Sequence, residues 1–538
     1  MLFRKSVRVI FLSVFLVSCA SANATQTVYF PTYDPFLPID GSPSPQAGST
    51  IVNEPTASNQ PTASEQPTAT RQPTPTRVPL NISPLMGIQD QLSNTTPTPD
   101  PARILPTPRQ DTDEYVVQVG DTLGTIAQMY GISLQSLLDA NNITDPNLLE
   151  VGMVLVIPAP NPISTSSDLK IIPDSELVYS PSAAHFSVAK YIASHNGYLN
   201  YYTQDVNGII MNGADIVLAV SVNYSVHPRI LLALLEYQSG WVTNPSPVNT
   251  SYPMGMVDEN RYGLYRQLTW AANTLNQGYY LWRANALSTF ILADGQVLPV
   301  DPTINAGTAA VQYFFSKTDD LATWEKDVKE TGVILSYYVL FGNPFSFAIE
   351  PLVPANLTQP EMNLPFAEGE SWYFTGGPHG GWDSGSAWGA LDFAPPDNTG
   401  GNCLTSPYWV TAMADGYITR TSKGAVLQDL DNDGYEQTGW VILYMHVAEE
   451  GRVSAGDYLF ANERVGHPSC EGGVSNATHV HIARKYNGEW IAADGQLPFI
   501  LDGWVSSGNG YEYDGFLTRG SQTVEAWDSA NDFNLITR

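Results

Sequence analysis

The feature that most limits how this chain can fold is a run in which proline returns every six residues. Pro55, Pro61, Pro67 and Pro73 stand in "PTASNQPTASEQPTATRQPTPTRV", within a stretch poor in large apolar residues. Such a segment cannot bury enough surface to offset the entropy of ordering it. No core crosses it, so the sequence predicts a disordered tether over residues 19–112 and folded units beyond. Pro-rich chain tends to polyproline II at about 3.1 Å per residue, which lets this tether reach on the order of 200 Å. The 538 residues exceed what one core holds, so several domains are expected. Lys and Arg number 24 against 53 Asp and Glu, a net charge of −29. A chain this acidic is repelled by phosphate backbones, which argues against nucleic acid as a partner.

Ahead of the tether, Arg4, Lys5 and Arg8 precede the apolar stretch Val9 to Val17. That stretch is well under the roughly 18 residues of a spanning helix, so residues 1–18 read as an export signal. Its end, Leu16-Val17-Ser18-Cys19, resembles the bacterial lipobox. The resemblance implies that Cys19 becomes the lipidated first residue of an exported protein anchored to the membrane of the cell envelope. The alternative is an ordinary cleaved signal with an incidental cysteine. Cys403 and Cys470 then remain. In an oxidising compartment they predict a disulfide, with two buried free thiols as the other reading.

Residues 113–160 begin and end with β-branched runs around two short amphipathic segments. Thr122 and Ser133 are suited to cap two helices, and Gly131 to close the first. The order is strand, helix, helix, strand. "YVVQVGDTL" at the start, "NNI" in the middle and "VGMVLVIP" at the end together resemble LysM modules. The resemblance implies a small βααβ module that binds glycans containing N-acetylglucosamine, in peptidoglycan or chitin. It places the sugar groove near Gly120–Leu123 and Asn147–Leu149.

Residues 161–355 read as mostly helical. Pro228 suits a helix's first turn, and Glu236 falls near the end of the apolar helix in "HPRILLALLEYQSGW". A carboxyl on an apolar helix is expected to have a raised pKa, as a general acid for glycosidic cleavage needs. Glu236 followed by Ser239, with "INAGTAAVQYFF" later, resembles lytic transglycosylases and lysozyme-like domains. The other reading is a helical spacer whose Glu236 is solvated at a helix end.

From residue 356 to 538 the texture turns to strands and turns, which predicts a mainly antiparallel β domain. His479 and His481 in "THVHIARK" are two apart, so on a strand they share a face. His446 ends the strand-like "VILYMH", where Tyr444 is expected on its own side. His379 precedes Asp383 by four residues and Asp392 by thirteen. A catalytic zinc needs three protein ligands and an open position for water. The order His, Asp, Tyr-x-His, His-x-His resembles the lysostaphin-type (LytM-like) zinc endopeptidases of bacterial cell walls. "ALDFAPP" around Asp392 fits their aspartate strand and "GGWDSGS" around Asp383 does not. "CEGG" before and "YNG" after the His-x-His resemble the beta-lytic branch, which carries a longer His-to-Asp insertion. The resemblance implies zinc on His379, Asp392 and His481. It also implies His479 and His446 as catalytic histidines, and Tyr373 as a residue stabilising the tetrahedral intermediate. Thr478 and Val480 depart from the family's usual Pro and Leu. "DLDNDGYEQTGW" opens like a calcium loop, but position twelve is Trp440, so a polar hairpin loop is expected.

Together these readings predict a modular peptidoglycan hydrolase that cuts wall peptides and, if Glu236 is active, glycan too. The alternatives are a catalytically silent regulator of a cell-wall amidase, and a scaffold in which only the LysM module functions. The lipobox gives a direct expectation. A labelled fatty acid should be incorporated into the expressed chain and absent from a Cys19→Ala variant.

Overall fold

The computed structural model describes residues 102–538 except 106–108, 119–120, 146–148, 162–165 and 398–401. The export signal, Cys19 and most of the expected tether lie outside the described residues, as do Gly120 and Asn147 of the expected sugar groove.

In the first unit β1 (Asp113–Val116) pairs antiparallel with β2 (Val154–Ile157). Two helices, Leu123–Met129 and Leu134–Asn141, lie between them. The Thr122 hydroxyl accepts from Thr125 N and the Ser133 hydroxyl from Ser136 N, so both expected caps form. Leu123, Ile126, Leu137, Leu155 and Ile157 make a separate small core. The unit rests against the helical region, where Gln128 Nε2 donates to Tyr313 Oη at 2.6 Å.

The middle region is helical, with two small hairpins: β3 (Thr203–Val206) with β4 (Ile209–Asn212), and β5 (Thr289–Ile291) with β6 (Val297–Pro299). Its main helices are Gly213–Tyr224, Pro228–Ser239, Leu264–Arg283, Ala306–Ser316 and Val333–Phe341. His227 caps the second of these, its ring accepting from Arg229 N, with Pro228 in the first turn. Trp241, Tyr279, Phe290 and Phe314 are fully buried among the helices.

The C-terminal region is built from β7 (Ser371–His379), β8 (Ala390–Ala394), β9 (Val410–Thr411), β10 (Gly416–Ser422), β11 (Ala425–Asp429), β12 (Trp440–Met445), β13 (Tyr458–Leu459), β14 (Arg464–Gly466), β15 (Val480–Tyr486) and β16 (Glu489–Trp490). It continues through β17 (Ile500–Leu501), β18 (Trp504–Gly508), β19 (Gly515–Arg519), β20 (Gln522–Glu525) and β21 (Leu535–Thr537). The main sheet runs β13-β10-β11-β12-β15-β8-β7-β21, with antiparallel pairing throughout. The strands β17 to β20 form a second sheet.

Both faces of the main sheet are covered. Leu391, Phe393, Ile442, Tyr444, Val480 and Ile482 pack in one core with Phe366, Trp372 and Phe499. The alternate residues, Ala390, Leu427, Val441, Leu443, Met445 and Ala483, belong to the same core as the helices. That is why β8, β11 and β12 are buried at every position. The sequence predicted a mainly antiparallel β domain and left open what covers its faces. A layer of helices on the second face removes the solvated side, as it does in sheets covered on both faces.

Polar groups seal the same interface. Glu489 accepts from Arg283 Nε at 2.9 Å and from Tyr279 Oη at 3.1 Å, and Trp490 N donates to Tyr280 Oη at 2.8 Å. Ser225 Oγ donates to Gly488 O at 2.7 Å. Burial pushes the Glu489 carboxyl up, and Arg283 offsets part of that rise. Breaking a buried pair strands the remaining charge. Because Arg283 itself reaches solvent, Arg283→Ala should lower the free energy of unfolding by about 1 kcal/mol, measured by chemical denaturation, whereas a change at an exposed position such as Glu325→Gln should move it far less.

Candidate metal centre

Three side chains from three neighbouring strands converge on the helix-covered face, His379 at the end of β7, His481 near the start of β15 and Asp392 in the middle of β8. Asp392 lies opposite His481 in the β8–β15 ladder and opposite Gly376 in the β7–β8 ladder. His379 ends β7. Ligand atoms of His379, Asp392 and His481 all fall within 4.8 Å of one another. His379 Nε2 and His481 Nδ1 are 2.9 Å apart, and Asp392 Oδ1 is 3.3 Å from the first and 3.2 Å from the second. Gly376 makes room for this carboxylate, because a Cβ there would stand 2.7 Å from Asp392 Oδ2.

Backbone carbonyls fix the imidazoles. His379 Nδ1 lies 2.8 Å from Gly377 O, and His481 Nε2 lies 3.2 Å from Gly381 O. With those nitrogens donating, His379 Nε2 and His481 Nδ1 turn lone pairs towards each other and towards a carboxylate. The buried Asp392 Oδ1 has no hydrogen-bond donor. Three electron-rich atoms facing one point repel unless a cation lies between them. Ligands about 2.0–2.1 Å from a tetrahedral zinc stand roughly 3.3 Å apart, close to the spacings found here. The residues therefore fit zinc.

Two more histidines complete the cluster. His479 Nε2 is 3.7 Å from Asp392 Oδ2, and its Nδ1 meets Ala477 O at 2.8 Å. His446 Nδ1 meets Glu471 O at 3.2 Å, and its ring centroid lies 4.5 Å from that of His479. Burial pulls the His446 imidazole well below its ordinary pKa, helped by His479 and His481, so it is neutral. Burial likewise lowers His481, with Asp392 offsetting part. Burial opposes ionisation of Asp392, but His379 and His479 hold its carboxyl well below the usual range. Burial also pulls His379 down, and Asp392 more than reverses this, so its pKa is raised.

The expected placement of Tyr444 is corrected. His446 has φ of 65°, so the chain leaves the β-region there and the alternation breaks. Tyr444 points into the opposite core and donates to Gln428 Oε1 at 2.8 Å. The "CEGG" stretch has a physical reason: Gly473, at φ of 56°, lies so close that a Cβ would be 3.2 Å from the His446 ring. Cys470, in the same stretch, is joined to Cys403 in a disulfide.

Asp383 lies outside the cluster. At φ of 58° it forms part of the loop after His379, and its Oδ2 accepts from Tyr224 Oη at 2.9 Å. Tyr373 shares the β7 face of the site but stands three residues before Gly376, about 10 Å along the strand. The aromatic ring beside the ligands is Tyr513, stacked 4.2 Å from His379. Sequence reasoning missed it, and the only signal was "NGYEYDG" between two β-runs. Next to it Glu512, pushed up to about 7 by burial, accepts from Gly380 N at 3.3 Å.

Two other sequence expectations can be placed. Glu236 is buried, and its carboxylate accepts from Val242 N, Thr243 N and Thr243 Oγ1 at 2.9, 3.1 and 2.5 Å. Those donors tie down the turn after its helix, so this carboxylate is not an unpartnered acid on an apolar face. Asp429, Asp431 and Asp433 do cluster, but Asp429 accepts from Asp431 N and Gly434 N within its own hairpin loop.

Comparison with known proteins agrees with this architecture. Residues 115–158 match the model of the LysM domain, and residues 170–356 match that of the LasA N-terminal domain. The two matches together span part of the chain, one on the strand-helix-helix-strand unit and one on the helical region. It is 24% identical over 289 residues to protease LasA of Pseudomonas aeruginosa, an alignment covering 51% of this chain. It spans 66% of the length of LasA, just under two thirds. It is 35% identical over 105 residues to the N-acetylmuramoyl-L-alanine amidase XlyA of Bacillus subtilis, covering 19% of this chain and 33% of XlyA. Among solved structures, the M23 metalloprotease pseudoalterin from the deep sea shares 27% identity over 32% of this chain and 97% of its own, with a TM-score of 0.25. The lysozyme-like expectation for the middle region finds no support in these matches.

Replacing one ligand separates the two aspartates. Asp392→Ala should abolish the binding of one zinc per chain, while Asp383→Ala should retain it in excess zinc, as read by elemental analysis after gel filtration.

Proposed function

We propose that this chain is an exported zinc endopeptidase that cleaves peptide bonds in peptidoglycan, guided to the wall by its LysM module. The observation that carries this reading is the convergence of His379 Nε2, His481 Nδ1 and Asp392 Oδ1, with two further imidazoles beside them. His379, Asp392 and His481 would hold a zinc ion there, which when bound would supply a Lewis acid for the scissile carbonyl and lower the pKa of water to about 7.

The chain's own residues do the rest. Ala477 O anchors His479 Nδ1, which leaves Nε2 facing the site to take a proton from the attacking water and pass it to the leaving amine. Glu471 O anchors His446 Nδ1 in the same way, so its Nε2 is available to hold the water or the developing oxyanion. Tyr513 stacks on His379, and Tyr373, on the strand that ends in His379, keeps the role that the resemblance implies for it, stabilising the tetrahedral intermediate. Glu236 is structural, because its hydrogen bonds are satisfied within its own turn. Lipid anchoring through Cys19 and the long tether complete the reading, placing the enzyme on the envelope facing the wall.

The test is digestion of purified peptidoglycan by the zinc-loaded full chain, with products identified by mass spectrometry. New amino termini within wall peptides are expected, with a 10²–10⁴-fold loss of rate in His479→Ala and no glycan cleavage. Unchanged peptides would return the reading to the regulator of an amidase.

A further inference from the structure

The loop Gly380–Ala387 joins the candidate ligand His379 to the strand that carries Asp392. Its Gly381 carbonyl takes the hydrogen bond from His481 Nε2. The loop is held from outside its own domain. Tyr224, at the end of one helix of the middle region, donates to Asp383 Oδ2 at 2.9 Å. Asn273, on the helix Leu264–Arg283, donates through Nδ2 to Ser384 Oγ at 3.1 Å and accepts at Oδ1 from Gly385 N at 2.8 Å. Gly385 packs so tightly that a Cβ would lie 2.1 Å from Asn273 O. A brace inside the loop carries the constraint onward. Ser386 Oγ accepts from Trp382 N at 2.8 Å and donates to Asp383 O at 2.9 Å, and Gly381 N donates to Ala387 O at 3.0 Å.

We propose that Tyr224 and Asn273 are positioning residues of the metal centre: by fixing the loop they fix the Gly381 carbonyl, and through it the tautomer and aim of His481. The helical region is then part of the metal centre and cannot be treated as a detachable neighbour. Partners one hydrogen bond beyond a metal's ligands orient the ligand ring, and their loss commonly weakens metal binding. This inference rests on the zinc reading above.

The test uses the full chain with Tyr224→Phe, Asn273→Ala and, as a control, Asn223→Ala. Asn223 accepts from Arg420 Nη1 at 2.9 Å, a hydrogen bond of the same interface that goes to β10 and not to the loop. Zinc affinity is read by competition with a chromophoric chelator, and ligand geometry by the visible absorption of the cobalt-substituted protein. Tyr224→Phe and Asn273→Ala should each weaken zinc roughly tenfold and shift the cobalt bands, while Asn223→Ala does neither. Wild-type affinity and spectra in both loop variants would overturn the inference. Equal weakening by Asn223→Ala would also overturn it, since that reports general loosening of the interface. If Asn273→Ala does not fold, Tyr224→Phe, which removes one hydroxyl, decides. If the unsubstituted chain binds no zinc, the zinc reading itself fails, a result distinct from the other two.

Discussion

The structure turns on one constraint: the sheet face that carries the histidines is also the face that the helices cover. Val441, Leu443, Met445 and Ala483 run along that face into the helical core, while His481 and Asp392 continue it on β15 and β8. The centre is therefore formed where the helical cover gives way. Its neighbours on one side are buried apolar residues, which lowers the local dielectric and strengthens every charge interaction within it.

That setting explains the electrostatics of the cluster. Burial alone would neutralise Asp392, yet surrounding imidazoles keep it ionised. His446 and His481 are pushed towards the neutral form by the same burial. An ionised carboxylate and a neutral His481 suit a divalent cation, whereas Asp392 raises His379, whose proton the cation would displace on binding. Each ring nitrogen turned away from the centre meets a backbone carbonyl: Gly377, Gly381, Glu471 and Ala477 serve His379, His481, His446 and His479 in turn. Because the main chain sets these tautomers, the precision of the site depends on loop conformation.

The local pattern was readable where it is set by local physics. Thr122 and Ser133 cap the helices that their side chains suited, and Pro228 stands in the first turn of its helix. The His-x-His spacing put two imidazoles on one face because strand period is two. The preference for Asp392 over Asp383 came from the family resemblance of "ALDFAPP", and the ladder register sets Asp392 beside His481. Where backbone geometry departed from the regular strand, the reading failed. Tyr444 was given the wrong face because His446 takes a positive φ. Tyr513 was overlooked because it reaches His379 from 134 positions away along the chain, and its turn-like stretch "NGYEYDG" does not record that approach.

The sequence by itself determined the periodic and the ordered: helix caps, strand alternation, and the succession of histidines and aspartate. These follow from interactions a few residues long, or from the order of residue types. Only the tertiary structure decided that the helical region closes the second face of the sheet, that Tyr224 and Asn273 hold the loop after His379, and that Glu236 ties down its own turn. Those outcomes depend on which surfaces meet. Burial is a property of the packed pair, and neither partner's local sequence records it.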